Sequence, residues 1–179
     1  MAAESAEAAE AAAPRIAVLD PAAPVAQALL AASDRFMAEL YPALASQHLE
    51  STEGLQQASV LFLGVWVGPE LAGCGAVKRR VDEQSGLAYG EIKRVFVHPA
   101  QRGRGLSRLL MQALEQDLIE RGIQLARLET GRRQPEALAL YASLGYQRCT
   151  PFGGHVADET GVFMEKTLAS ARHWIKQPI

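Results

Sequence analysis

AYGEIKRVFVHPAQRGRGLSRLLMQALEQDL, residues 88–118, changes its periodicity once, and the change decides the fold. Ala88 to His98 is rich in β-branched and aromatic residues and ends at Pro99, which predicts a strand. Leu106, Leu109, Leu110, Leu114 and Leu118 follow helical spacing, and Gly122 after Arg121 is a helix stop. Between the two lies a basic loop with two glycines, Arg102-Gly103-Arg104-Gly105-Leu106-Ser107. A strand that feeds such a loop into a helix makes an anion site. The first helical turn has backbone N–H groups without intrahelical partners, and its dipole favours negative charge. Gly103 and Gly105 let backbone approach phosphate oxygens, and Arg102 and Arg104 can add charge-assisted hydrogen bonds. No Lys-Ser or Lys-Thr pair follows the glycines, so this is not a P-loop, and the three spaced glycines of a dinucleotide fingerprint are missing.

Working outward, the pattern upstream is strand-rich and the pattern downstream alternates. Arg15 to Asp20 reads as a short strand, and Val25, Leu29, Leu30, Phe36, Met37 and Leu40 mark a helix that stops at Tyr41-Pro42. Ala43 to Leu49 is a loop or short helix, followed by a polar stretch to Gly54. Val60 to Val67 and Leu71 to Arg80 form a hairpin around Gly68-Pro69-Glu70. After the 106–118 helix come a strand over Ile123 to Glu129, a helix over Pro135 to Leu144, and strands over Tyr146 to Cys149 and Val162 to Lys166. This order predicts an α/β (α+β) fold whose mixed sheet carries helices on both faces. Residues 1–13, almost entirely Ala and Glu, are expected to be a disordered or fraying arm, 14–168 the domain, and 169–179 a tail.

Composition sets the outer limits. The chain has 179 residues, enough for one domain with a core. Its net charge of -2, from 18 basic and 20 acidic side chains, gives no nucleic-acid footprint. The basic residues nevertheless gather at Lys93, Arg94, Arg102, Arg104 and Arg108, which fits a local site for a small anion. No apolar run approaches a membrane span, and the N-terminus lacks the pattern of a signal peptide. Cys74 and Cys149 lack the spacing of a metal knuckle or disulfide scaffold, and the four histidines lack metal-ligand spacing. These features predict a cytoplasmic protein without a metal or a membrane anchor.

Two motifs, in order, carry a resemblance. Arg102-x-x-Gly105-x-Ser107 is similar to the acetyl-CoA motif of the GNAT N-acetyltransferase family, with Ser107 where that motif ends in Gly or Ala. Gln134-Pro135-Glu136-Ala137-Leu138-Ala139-Leu140-Tyr141-Ala142-Ser143-Leu144-Gly145-Tyr146 resembles the family's Asn-x-x-Ala-x-x-Leu-Tyr-x-x-x-Gly-Phe/Tyr helix, with Gln134 replacing Asn. The stretches 71–76, 90–93 and 128–131 resemble a bacterial single-domain subgroup, one member of which is labelled an indole-acetate acetyltransferase. The resemblance implies six or seven strands splayed in the middle, acetyl-CoA as co-substrate, and a homodimer by analogy with the family.

Acetyl transfer to an amine requires proton removal from the acceptor, carbonyl polarisation and protonation of the leaving thiolate. The resemblance implies Glu91 as the base, directly or through water, and Tyr141 as the acid beside the CoA sulfur. It gives carbonyl polarisation to the backbone N–H of Phe96 or Val97. Gln134 reaches the pantetheine arm or caps its helix. Strand alternation puts Glu91, Lys93, Val95 and Val97 on one face and Ile92, Arg94 and Phe96 on the other. Lys93 then pairs with Glu91 or with an acceptor carboxylate. Arg35, Tyr41, His48 and His155 lie on segments that border the acceptor in the family. The expected acceptor is a small-molecule amine, an amino acid or related metabolite. A protein or peptide amine and a non-catalytic CoA-binding module are the rivals. The cysteines fall outside both motifs, so direct transfer without an acyl-enzyme is expected.

Overall fold

The computed structural model describes residues 13–42 and 49–169. His48, the 1–13 arm apart from Ala13, and the tail beyond Ala169 therefore lie outside the described residues. Seven strands form one mixed sheet. They are β1 (Arg15–Val18), β2 (Val60–Val67), β3 (Glu70–Val81), β4 (Ala88–Val97), β5 (Leu125–Gly131), β6 (Gln147–Arg148) and β7 (Gly161–Thr167). Their spatial order is β1-β2-β3-β4-β5-β7-β6. Neighbours from β1 to β4 pair antiparallel, with β2–β3 and β3–β4 joined as hairpins and β1 reaching β2 through a helical connection, and only the β4–β5 pair is parallel. That pair is joined by a helical crossover, as parallel neighbours require.

One face of the sheet is covered by α1 (Pro24–Leu40). Ala26, Leu29 and Leu30 pack there on Leu19, Phe62, Cys74, Ala76 and Phe96. Ala26, not Val25, begins the buried stripe, because Ala26, Leu29, Leu30 and Ser33 share the helix face that meets the sheet, while Val25 is exposed. The polar stretch after Leu49 contains a helical turn, α2 (Thr52–Leu55); the Ser51 hydroxyl accepts from Gly54 N–H at 3.1 Å and stabilises it. The opposite face is covered by α3 (Leu106–Glu120) and α4 (Pro135–Ser143). Strand β5 begins at Leu125, two residues later than expected, because the Ile123 N–H closes the end of α3 on the Leu118 carbonyl. β6 is only two residues long.

Leu110, Met111, Leu114 and Leu118 of α3 are fully buried against the sheet. A Cβ on Gly90 would lie 2.4 Å from the Leu118 side chain, so glycine at this point of β4 is what lets α3 lie close. Leu118→Ala is expected to lower unfolding free energy by about 2–5 kcal/mol in chemical denaturation, the cost of a core cavity. A change within the error of the measurement would mean that α3 is not seated on the sheet as described.

Candidate active site

Strand β4 departs from regular pleating at one place. Cys74 pairs with Phe96 and Ala76 with Lys93, so Gly75 faces two residues, Arg94 and Val95. This is a β-bulge, and Arg94 has φ 56°, a left-handed conformation rare for a residue with a side chain. Gly75 leaves the room: an added Cβ would lie 3.2 Å from Leu114 and 3.4 Å from Val95. The extra residue turns the strand and ends its pairing with β5, which covers only Gly90–Ile92 against Ala126–Leu128. Past Ile92 the two strands diverge.

The bulge also corrects the predicted alternation. Ile92 and Val97 share the α3 face, and Val95 packs with them. Phe96 joins the α1 face, where Arg94 pairs with Asp34 of α1 at 2.6 Å. Glu91 and Lys93 therefore do not share a face with Val95 and Val97, because one added residue reverses every side chain beyond it.

A cavity of about 160 Å³ opens in the cleft between β4 and β5. It is lined from β4 by Glu91 to Val95, from β5 by Glu129 to Gly131, from α1 by Ser33 and Met37, and from α4 by Tyr141, with Gln134 at the start of α4. Tyr141 is buried, and burial pushes its phenol up to about 12, so it stays protonated. Gln134 makes no capping bond; its Nε2 lies 3.6 Å from Met37 Sδ. Tyr41 closes one side of the cavity. Its hydroxyl accepts from Arg133 N–H at 2.8 Å, tying the end of α1 to the β5–α4 loop, and a side chain at Gly131 would collide with it.

The glycine loop stands at the N-terminus of α3. Gly103 and Gly105 have φ 75° and 73°, and a Cβ on either would meet nothing within 4 Å. No side chain caps the helix, and its first turn carries no acidic residue. The loop arginines are tied to the protein: Arg102 Nε donates to the Val97 carbonyl at 3.1 Å with its guanidinium over the Phe36 ring, and Arg104 donates to Gln101. Positive potential at the loop thus comes first from backbone N–H groups. Leu106 is buried and anchors the turn, while Ser107 is half-buried. These features fit the pyrophosphate of acetyl-CoA, and the unpaired edge of β4 fits an extended chain bearing amide groups.

Glu91 is buried, and its carboxylate is held by three donors. Arg80 Nη1 lies 2.9 Å from Oε2; Lys93 Nζ at 3.0 Å and His155 Nε2 at 2.9 Å meet Oε1. Burial works to raise its pKa, but the His155 hydrogen bond, Lys93 and Arg80 outweigh it and hold the group well below the carboxylate range. A carboxylate held in this way is a weak base; it organises the cations around it. Lys93 also faces Glu50 at 3.6 Å.

His155 lines a second recess, about 630 Å³, with Leu49, Glu50, Ser51, Lys93 and the 156–158 segment. Arg35 is exposed on α1 and lines neither space, and Phe96 and Val97 do not line the cavity, whereas Lys93, Arg94 and Val95 do. Arg80, Glu129 and Glu50 were missed in the sequence. Glu129 could have been flagged, because the alternation of Ala126, Leu128 and Thr130 turns it away from the buried row. Arg80 could not, because its reach to Glu91 depends on the β3–β4 register. Burial raises the thiols of Cys74 and Cys149 to about 12 and about 11, which removes them as nucleophiles near neutral pH. Among the described residues, no cluster of His, Cys, Asp and Glu could hold a metal ion.

Residues 26–146 match the acetyltransferase (GNAT) family. The chain is 37% identical over 135 residues to the IAA acetyltransferase of Azospirillum brasilense, covering 75% of this chain and 85% of that protein. A Klebsiella pneumoniae structure classed with the acyl-CoA N-acyltransferases superposes with TM-score 0.69 at 32% identity, over 87% of this chain and 98% of that one. The fold also matches the PaiA N-acetyltransferase of Thermoplasma acidophilum, solved with coenzyme A, at TM-score 0.65 and 18% identity, over 87% and 99% of the two chains.

The Glu91 cluster has a pH signature. A carboxylate with a lowered folded pKa stabilises fully above its ordinary value of 4.5, and that stability is lost as pH falls from there towards the folded value. Glu91→Gln is expected to cost about 3 kcal/mol near neutral pH, since three donors lose their counter-charge in a largely buried site. The gap to the unmodified protein should narrow below pH 4.5. Urea melts across pH check this; parallel stability curves would contradict it.

Proposed function

Because the chain belongs to the acetyltransferase (GNAT) family and is an acyltransferase of that kind, we propose that it passes the acetyl group of acetyl-CoA directly to the amine of a small molecule, an amino acid or a related metabolite, in the cytoplasm. The observation that carries this reading is the cavity in the β4–β5 cleft, where Tyr141, the bulged backbone of β4 and the carboxylates of Glu91 and Glu129 meet. Acetyl-CoA supplies an activated acyl group as a thioester.

The chain's own residues divide the work. The N–H groups at the start of α3, behind Gly103 and Gly105, hold the pyrophosphate. The open edge of β4 pairs with the pantetheine amides, with Gln134 on the far wall. Backbone at the Arg94–Val95 bulge takes the polarising role that the family resemblance had given to Phe96 or Val97. Tyr141, kept protonated by burial, donates its phenolic proton to the departing sulfur. Tyr41 and Arg133 close one side of the cavity, which suits a small acceptor better than a polypeptide.

Thiol release from acetyl-CoA over a panel of amino acids, other small amines and peptides tests the reading. The expected result is turnover with a small amine and none with peptides; release with peptides alone would overturn it. Tyr141→Phe is expected to lower kcat by about 10²-fold with the KM for acetyl-CoA unchanged. An unchanged kcat would remove Tyr141 from the acid role.

A further inference from the structure

Among the described residues, the cations that line the reaction cavity are Lys93 and Arg94, and each is already held by a carboxylate. Lys93 Nζ lies 3.0 Å from Glu91 and 3.6 Å from Glu50, and Arg94 Nη1 lies 2.6 Å from Asp34. The lining also carries the carboxylates of Glu50, Glu91 and Glu129. Such a space suits the ammonium end of an acceptor. A carboxylate would bind inside only by breaking one of these pairs, which leaves a charge without its counter-charge. Resting on the acetyl-transfer reading above, we propose that the acceptor carries a carboxylate at the end of the molecule remote from its reacting amine, and that Arg133 binds that carboxylate at the rim of the cavity.

Arg133 is exposed in the turn between β5 and α4. Among the described residues it has no carboxylate within ion-pair distance; its Nη1 donates to the Leu40 carbonyl at 2.9 Å, and its guanidinium stands 5.8 Å from the centre of the Tyr41 ring. A guanidinium has five N–H donors in a planar fork, so most of them are left for a ligand, and the fork matches the two oxygens of a carboxylate. Its neighbour Arg132 donates from Nε to the Glu159 carbonyl at 3.0 Å and also lacks a carboxylate partner, so the turn carries two positive charges. Acidic groups within the cavity and cations on its rim orient an acceptor of both charges with the amine inward.

Tyr41 sets the spacing between the two ends. It is buried and lines the cavity, as Tyr141 does, while Arg133 lies against its ring without lining the cavity. The Tyr41 hydroxyl accepts from Arg133 N–H at 2.8 Å and is crowded by Gly131, so the ring is a fixed wall between the reaction space and the guanidinium. An acid group on the carbon that bears the amine cannot pass this wall while the amine faces the thioester. An acid at the other end of a chain can. The helix gives the same scale: Pro135, two residues after Arg133, and Tyr141 are separated by roughly 9 Å of helical rise.

The test uses the full chain with acetyl-CoA and three acceptors of one carbon skeleton: hexylamine without an acid, 6-aminohexanoate with a remote acid, and norleucine with an adjacent one. The four-carbon set is run beside them. Within at least one set the remote acid should show a kcat/KM about 30-fold above the other two, through a lower acceptor KM. Equal values in both sets, or a preference for the adjacent acid, would overturn the proposal while leaving acetyl transfer intact. Arg133→Gln should bring the ratio of remote acid to plain amine close to one, with the KM for acetyl-CoA unchanged. A ratio that persists in the variant would overturn the role of Arg133. Should that variant not fold, Arg133→Lys decides: a reduced ratio supports the fork, and an unchanged ratio overturns it. If the unmodified protein releases no thiol with any amine, the acetyl-transfer reading falls first and this proposal with it.

Discussion

Everything distinctive in this fold depends on one extra residue in β4. With Gly75 opposite both Arg94 and Val95, the strand bends and parts from β5 after Ile92. The backbone donors and acceptors beyond that point face a cleft instead of a neighbouring strand. A regular seven-stranded sheet would bury those groups in a ladder and leave no passage between its faces. The bulge opens that passage, and it needs a residue in a strained left-handed conformation to do so. Packing fixes the strained residue from both sides, since Val95 packs towards α3 and the Arg94 side chain is clamped to Asp34 of α1.

The cleft explains why the two ends of the site differ so much in character. On the α3 side the cleft offers backbone: glycines, an uncapped helix start and a strand edge that has parted from β5. Such elements recognise phosphate and amide groups that are the same in every CoA thioester. On the α1 side it offers charged side chains from five segments, joined in a network around Glu91. A network of this kind is costly to bury unless every member is satisfied, and Glu91 meets that condition with three donors.

The sequence made the donor half far more legible than the acceptor half. Strand, glycine loop and helix are contiguous between Ala88 and Leu118, and the Tyr141 helix is a local stretch, so the elements could be read from spacing and their roles from the family resemblance. The acceptor half is assembled across the fold: Arg80 reaches Glu91 from eleven residues away, and His155 from 64. A strict period-two reading of β4 also failed at Arg94, since nothing in the local composition marks a bulge that depends on Gly75 in the next strand. Glu91 was singled out through the family resemblance, as the expected base, and the structure surrounds its carboxylate with three donors. Of its partners, Lys93 was within reach of the sequence, two residues along the same strand, while Arg80 and His155 were not readable without the register.

The central claim is that the unpaired edge of β4 and the start of α3 together receive acetyl-CoA. Amide hydrogen exchange, measured with and without coenzyme A, tests it most directly. Slowed exchange is expected at residues 93–97 and 103–109, where the pantetheine arm and the pyrophosphate would take up backbone donors. Slowed exchange elsewhere, with those two segments unchanged, would contradict it.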